Sequence, residues 1–182
     1  MPQSLAMPGS IAQPGATTRW LTTFLHVPLP EIEGCTPEEV AEIEAAAGQP
    51  LPLAYRQWLV EAGRKVGPPR IQSQFQRAFM LYPEVLEVRE IVAEIIAETG
   101  GDRSLLDRAI PFFNWDIYHI CLLDMSPPRE DPPILRFDDH TGRARLSLGS
   151  FSQFISWQIF QLADGIAMTA REQRLDESPS SG

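Results

Sequence analysis

Residues 83–99 carry Val85, Val88, Val92, Ile95 and Ile96 at the spacing of one helix face, with Glu87, Glu90, Glu94 and Glu98 along the other. Pro83 opens this amphipathic helix and Gly100-Gly101 stops it. Upstream, "RWLTTFLHVPLP" sets Trp20, Leu21, Phe24 and Leu25 at the same period and breaks before Pro28, which predicts a short N-terminal helix. The stretch "GCTPEEVAEIEAAAGQPLPLAYRQWL" predicts two more. Thr36 is an N-cap, Pro37 takes the first helical position, and Glu39 can close a capping box, with Cys35 stapling onto Val40. Val40, Ile43 and Ala47 form the buried stripe, while Glu38, Glu39 and Glu42 face water and suit the positive end of the helix dipole. Gly48 ends that helix, and Pro50 and Pro52 hold Leu51 extended. Tyr55, Trp58, Leu59 and Ala62 then make the stripe of the next helix, which Gly63 closes.

A basic loop, "GRKVGPPR", precedes "IQSQFQRAFMLY", which reads as strand or coil. "IPFFNWD" leads into "IYHICLLD", apolar on both faces and therefore a central strand. "PILRFDD" sets Leu135 and Phe137 against Arg136 and Asp138. "GRARLSL" sets Ala144, Leu146 and Leu148 against Arg143, Arg145 and Ser147. Both read as half-buried antiparallel strands joined by a hairpin near "DDHTG". Ser150 caps a last helix that turns Phe151, Phe154, Ile155, Ile159 and Leu162 inward. Helices, then strands, then a helix indicate an α+β domain, with a small antiparallel sheet flanked by N-terminal helices and a C-terminal helix. The Pro-, Gly- and Ser-rich residues 1–18 read as a disordered lead-in, 19–165 as a single domain, and 166–182 as a flexible polar tail.

Composition narrows the partners. The 24 acidic and 15 basic residues leave a formal net charge of −9, so direct binding of nucleic acid is disfavoured. The same balance suits fast association with a basic partner. No apolar run approaches the roughly 20 residues that span a bilayer. The first residues lack a secretory pattern, and the two cysteines fit a reducing compartment, so cytoplasmic residence is expected.

Candidate chemistry is sparse. His26, His119 and His140 are scattered, without zinc-site spacing. His119 and Cys121 share one strand face, where a central strand would bury both in a structural role. There is no nucleophile elbow and no phosphate-cradling glycine loop, and Lys65 is the only lysine. Asp116, Asp124, Asp138 and Asp139 fall near strand ends, where carboxylates can pair for acid–base work but more often start turns. The expectation is no catalytic residue, no cofactor and no metal. A hydrolase built on those carboxylates is the distant alternative.

The order and spacing of "GCTPEEVAEIEAAAGQPLPLAYRQWL", "IPFFNWDIYHICLLDMSP", "PPILRFDDHTG" and "SLGSFSQFISWQI" resemble the SUKH superfamily over roughly residues 18–162. The chain departs from the family's common Asn-Gly-type turn after the second helix, reading "EAGRKVGPP" there. The resemblance implies a non-enzymatic protein-binding module. Its bacterial members include immunity proteins that bind a cognate toxin, often a nuclease or deaminase, and its fungal member points instead to a regulatory adaptor. An acidic inhibitor can occupy the basic groove of a nuclease with carboxylates in place of phosphates. The Arg-, Ala-, Pro- and Gly-rich composition suggests a GC-rich bacterial genome and favours the immunity reading. Two patches are candidates for the partner: Glu87, Glu90, Glu94 and Glu98 on one helix, and Trp157 and Phe160 outside the core stripe of the last. A solvated helix face, and aromatics covered by a loop or by the N-terminal helix, account for the same residues without a partner.

Overall fold

The computed structural model describes residues 9–115 and 119–176, with side chains described through residue 168. Helix α1 (Ala16–Phe24) leads through a 3-10 turn, Leu29–Glu31, to the short strand β1 (Ile32–Glu33). Helices α2 (Pro37–Ala47) and α3 (Leu53–Ala62) follow, and β2 (Lys65–Val66) pairs back onto β1 antiparallel. The local signals act as expected. Thr36 Oγ1 accepts the Glu39 N–H at 3.3 Å, and Glu39 returns a carboxylate oxygen to the Thr36 N–H at 2.9 Å. Gly48 takes the left-handed conformation that ends α2, with φ 70°. Val40, Ile43 and Ala47 of α2 and Tyr55, Trp58, Leu59 and Ala62 of α3 are all buried.

The angle between these helices is held by Glu44. One carboxylate oxygen accepts the Leu51 N–H of the linker at 3.1 Å, and the other pairs with Arg56 on α3. Arg56 is the main cause that holds the Glu44 carboxyl below its usual range, against a smaller opposing effect of burial. A lowered folded-state pKa means that this carboxylate stabilises the fold above its unfolded pKa, and that the contribution is lost as pH falls through the folded value. Glu44→Gln is therefore expected to lower stability by about 1 kcal/mol near neutral pH, a modest effect because the pair is part-exposed. The difference in urea midpoint between wild type and variant should shrink as pH is taken below about 4. An equal difference at both pH values would remove the ionised pair from this role.

Residues 9–18, assigned by composition to a lead-in, are packed against the domain. Ile11 is fully buried, and its N–H donates to Ser152 Oγ at 2.9 Å. Gly15 gives α1 no side-chain cap, so Glu61 of α3 supplies one, accepting the N–H groups of Gly15 and Thr18. A single large apolar residue among Pro, Gly, Ser and Ala carries too little local signal to announce this docking.

"IQSQFQR" is helical: α4 runs Pro69–Arg77 and buries Ile71 and Phe75, one turn apart. The helix expected over 83–99 divides into a 3-10 turn, Glu84–Glu87, and α5 (Val88–Thr99). Val85, Val88, Val92 and Ile96 are buried as expected, while Ile95 is only half-buried. After the short α6 (Leu105–Arg108) come four strands, β3 (Ala109–Trp115), β4 (His119–Asp124), β5 (Ile134–Asp138) and β6 (Arg143–Leu148), each antiparallel to the next in chain order. "IPFFNW" is thus a strand in its own right, and β4 is internal as expected. Helix α7 begins at Phe151, with the Gln153 N–H donating to Ser150 Oγ at 3.1 Å, and continues to Asp176, into the stretch read as a tail.

The sheet has two covered faces because its side chains alternate. Ile120, Leu122 and Phe137 meet Val92 and Ile96 of α5 on one face. Ile110, Leu123 and Ile134 join α3 and α7 on the other, where Tyr55, Phe151 and Ile155 complete the main core. A bulge in β3 between Pro111 and Phe113 breaks the alternation, and Phe112 and Phe113 both enter the main core. A second irregularity lies between Ile134 and Leu135. On the outermost strand, β6, Leu146 is 68 % exposed rather than half-buried, because no element covers that edge among the described residues.

Candidate functional site

The main core reaches the surface through a chain of aromatic contacts. Tyr55 meets Phe112 and Phe151, with ring centroids 5.8 and 5.4 Å away. Phe154 lies 5.1 Å from both Phe112 and Phe113, edge to face, and 6.4 Å from Trp157. Phe113 and Phe154 are buried, whereas Trp157 is 51 % exposed. The terminal indole is thereby rooted in rigid packing while half its surface stays open.

Trp157 lines a groove of about 840 Å³ between α7, the first turns of α4 and the face of the sheet turned away from α5. Phe113, Phe154 and Leu148 supply its apolar lining, Gln158 and Gln161 of α7 its polar wall. Cys121, His119 and Arg136 open into it from β4 and β5. His119 and Cys121 are therefore not buried in the sheet: His119 is exposed and Cys121 half-buried, because they share the face that α7 leaves partly uncovered. Burial of its sulfur pushes the Cys121 thiol up to about 12, with Arg136 pulling the other way. At neutral pH it is a protonated thiol and a poor nucleophile.

Of the six candidate partner residues, the structure brings only Trp157 into this groove. Phe160 is 47 % exposed on the same helix but outside the groove lining. Among the described residues both aromatics stay about half exposed, so neither a loop nor the N-terminal helix buries them. Glu87, Glu90, Glu94 and Glu98 are all exposed, and none forms an ion pair among the described residues. They lie on or just before α5, which covers the opposite face of the sheet, so the acidic and aromatic patches point to different sides of the molecule.

The strand-end aspartates act as turn residues. Asp124 accepts the Ser126 N–H at 3.0 Å, and Asp138 accepts those of His140 and Thr141 at 3.0 and 3.1 Å. Some loss of hydration opposes ionisation of Asp138, an exposed side chain, but these hydrogen bonds outweigh it and hold the carboxyl below its usual range. Asp116 lies outside the described residues. Among the described residues, no group of three or more His, Cys, Asp or Glu side chains is arranged to hold a metal ion, and no helix is long and apolar enough to cross a membrane.

Sequence reasoning missed Phe113, Phe154 and Arg136 as groove residues. Phe154 reads as core and is core; only its second face meets the groove. Arg136 reads as the solvent side of a half-buried strand, and nothing in a period of two tells open water from a groove wall.

The fold and the groove define an α+β domain that offers a concave, aromatic-lined surface on one side of its sheet. Residues 34–157 match the SMI1 / KNR4 family (SUKH-1), and the chain belongs to that family. The matched segment starts at Gly34, where the chain presses against α3, and ends at Trp157 in the groove. No curated protein matches the chain.

Proposed function

We propose that the protein is a non-enzymatic binding module of the immunity kind, which captures a toxin in the cytoplasm and holds it inactive. The observation that carries this reading is Trp157, a half-exposed indole at the end of a buried aromatic chain, in an open groove. A large rigid aromatic of this sort loses little conformational entropy when a partner covers it, which is why Trp dominates binding hot spots. Family membership supports the protein-binding part of the reading. The −9 charge supports a partner with a basic surface, such as a nuclease or other toxin acting on nucleic acid.

The two surfaces have separate roles. The groove supplies contact, and the glutamates on and just before α5, facing the other way, supply long-range field. Co-expression with the product of the neighbouring gene is the primary test: the chain should rescue cells from that product and bind it when purified. Trp157→Ala is expected to weaken the complex by about thirtyfold or more, as for a hot-spot aromatic. Reversing Glu87, Glu90, Glu94 and Glu98 to Lys should instead slow association at low salt while leaving dissociation almost unchanged. Absence of rescue by any adjacent gene product, or a Trp157→Ala complex as tight as wild type, would retire the toxin-capture reading. A regulatory adaptor would then be the better description.

A further inference from the structure

The groove is electrostatically unlike the rest of the molecule. The chain as a whole is acidic, yet among the described residues no Asp or Glu lines the groove, whose described charged or ionisable polar side chains are Arg70, Arg136 and His119. Beyond His119 and Arg136 it continues into a smaller dip of about 260 Å³, where Arg145 joins them. Arg136 and Arg145 are direct cross-strand partners on β5 and β6. Like charges at such a position are unfavourable, and neither arginine forms an ion pair with a carboxylate among the described residues. Asp138 and Asp139 border the same dip, together with His140. Asp138 is already engaged by the amides of the hairpin turn, and Asp139 lies 4.0 Å from His140.

Protection of a sheet edge accounts for Arg143 and Arg145, which sit on the outer strand β6. It does not account for Arg136, because β5 is internal. A cation there, opposite a second cation and beside an apolar groove, suits a carboxylate brought by something else. The guanidinium fork matches a carboxylate in bidentate geometry, and two forks side by side can grip one from both strands.

We infer that the groove takes an extended acidic–apolar segment of the partner protein, its carboxylate held between Arg136 and Arg145 and a neighbouring aliphatic or aromatic side chain laid on Trp157 and Phe154. The inference rests on the binding-module reading and deepens it by specifying what the captured partner must present. A partner with a basic surface overall is drawn in by the net charge and then locked by one acidic segment of opposite character. A single-stranded nucleic acid also combines anions with stacking faces. It is the poorer fit, because such ligands need a cationic track along the backbone and the net charge of the chain repels a polyanion.

The test is selection of random peptides displayed on phage by the full-length protein. The wild-type pool should be enriched in Asp or Glu within a few positions of Leu, Phe or Trp. A synthetic peptide from that pool should bind about tenfold more weakly to Arg136→Gln and to Arg145→Gln, and more weakly still to Trp157→Ala. Raising salt should weaken wild type more than Arg136→Gln, a readout that loss of packing alone would not move. All three residues are exposed, and an unchanged urea midpoint verifies that each variant folds. A pool without acidic enrichment, or Arg136→Gln binding as wild type does, would overturn the inference. So would an oligothymidylate that binds more tightly than the peptides and is displaced by the same substitution. Rescue from a toxin with no acidic enrichment keeps the toxin-capture function and removes the groove assignment; acidic enrichment without rescue does the reverse.

Discussion

Gly34→Ala is expected to destabilise the protein by at least about 3 kcal/mol, among the largest effects any single methyl group can have here. A Cβ at residue 34 would run into the backbone carbonyl of Val60 on α3. The penalty is steric, since neither side of the contact can yield cheaply. The Cys35 N–H donates to the Leu59 carbonyl at 2.8 Å, and the Arg64 N–H donates to the Glu33 carbonyl at 3.0 Å, so hydrogen bonds hold the chain against α3 on both sides of the glycine. Making room would break these bonds and lift β1 and the start of α2 away from α3. Gly165→Ala is the control. A Cβ there meets nothing within 4 Å, and the helical position should gain rather than lose stability, by up to about 1 kcal/mol. Urea unfolding of the two variants measures the contrast. A Gly34→Ala cost below about 1 kcal/mol would mean that the close approach is looser than described.

Phe112→Ala should cost about 3–5 kcal/mol, the usual range for emptying a buried aromatic site. Phe112 is fully buried and lies within 6.4 Å, centroid to centroid, of Tyr55, Phe113, Phe151 and Phe154. Removing it would take away the ring that joins α3, β3 and α7, and a cavity walled by four other rings cannot collapse without moving all three elements. Because total stability for a domain is only about 5–15 kcal/mol, the variant should remain folded but close to its threshold. It should also loosen Trp157, which depends on Phe154 for its backing. Partner or peptide affinity measured where the variant is still folded should therefore fall too. Full retention of affinity would show that the groove is braced independently of the core.

The α2 helix was legible because every signal that defines it acts within a few residues. Thr36, Pro37 and Glu39 satisfy the first turn, and Gly48 relieves the last, whatever the rest of the chain does. The hairpin of β5 and β6 was legible for the same reason. Helix α4 was not, because only Ile71 and Phe75 mark its inner face among glutamines and arginines, and its stability comes from the core that Phe75 enters beside Trp58. The docking of Ile11 and the burial of Phe112 with Phe113 on one side were also hidden. The first depends on a hydrogen bond to Ser152, 141 residues away, and the second on a bulge that overrides the period of two.

The candidate residues divide along the same line. That Glu87, Glu90, Glu94 and Glu98 face water follows from the helical period alone, and so does the exclusion of Trp157 and Phe160 from the core stripe of α7. By itself the sequence determined the class of fold, the caps and turns that start and stop its helices, and the acidity of its surface, because these depend on neighbours in the chain and on summed charge. Only the tertiary structure decided that Trp157 borders a groove while Phe160 does not, that no carboxylate lines the main groove among the described residues, and that Arg136 stands opposite Arg145. Those facts are set by strand register and by the crossing of α7 over the sheet, which are relations between residues far apart in the chain and leave no local trace.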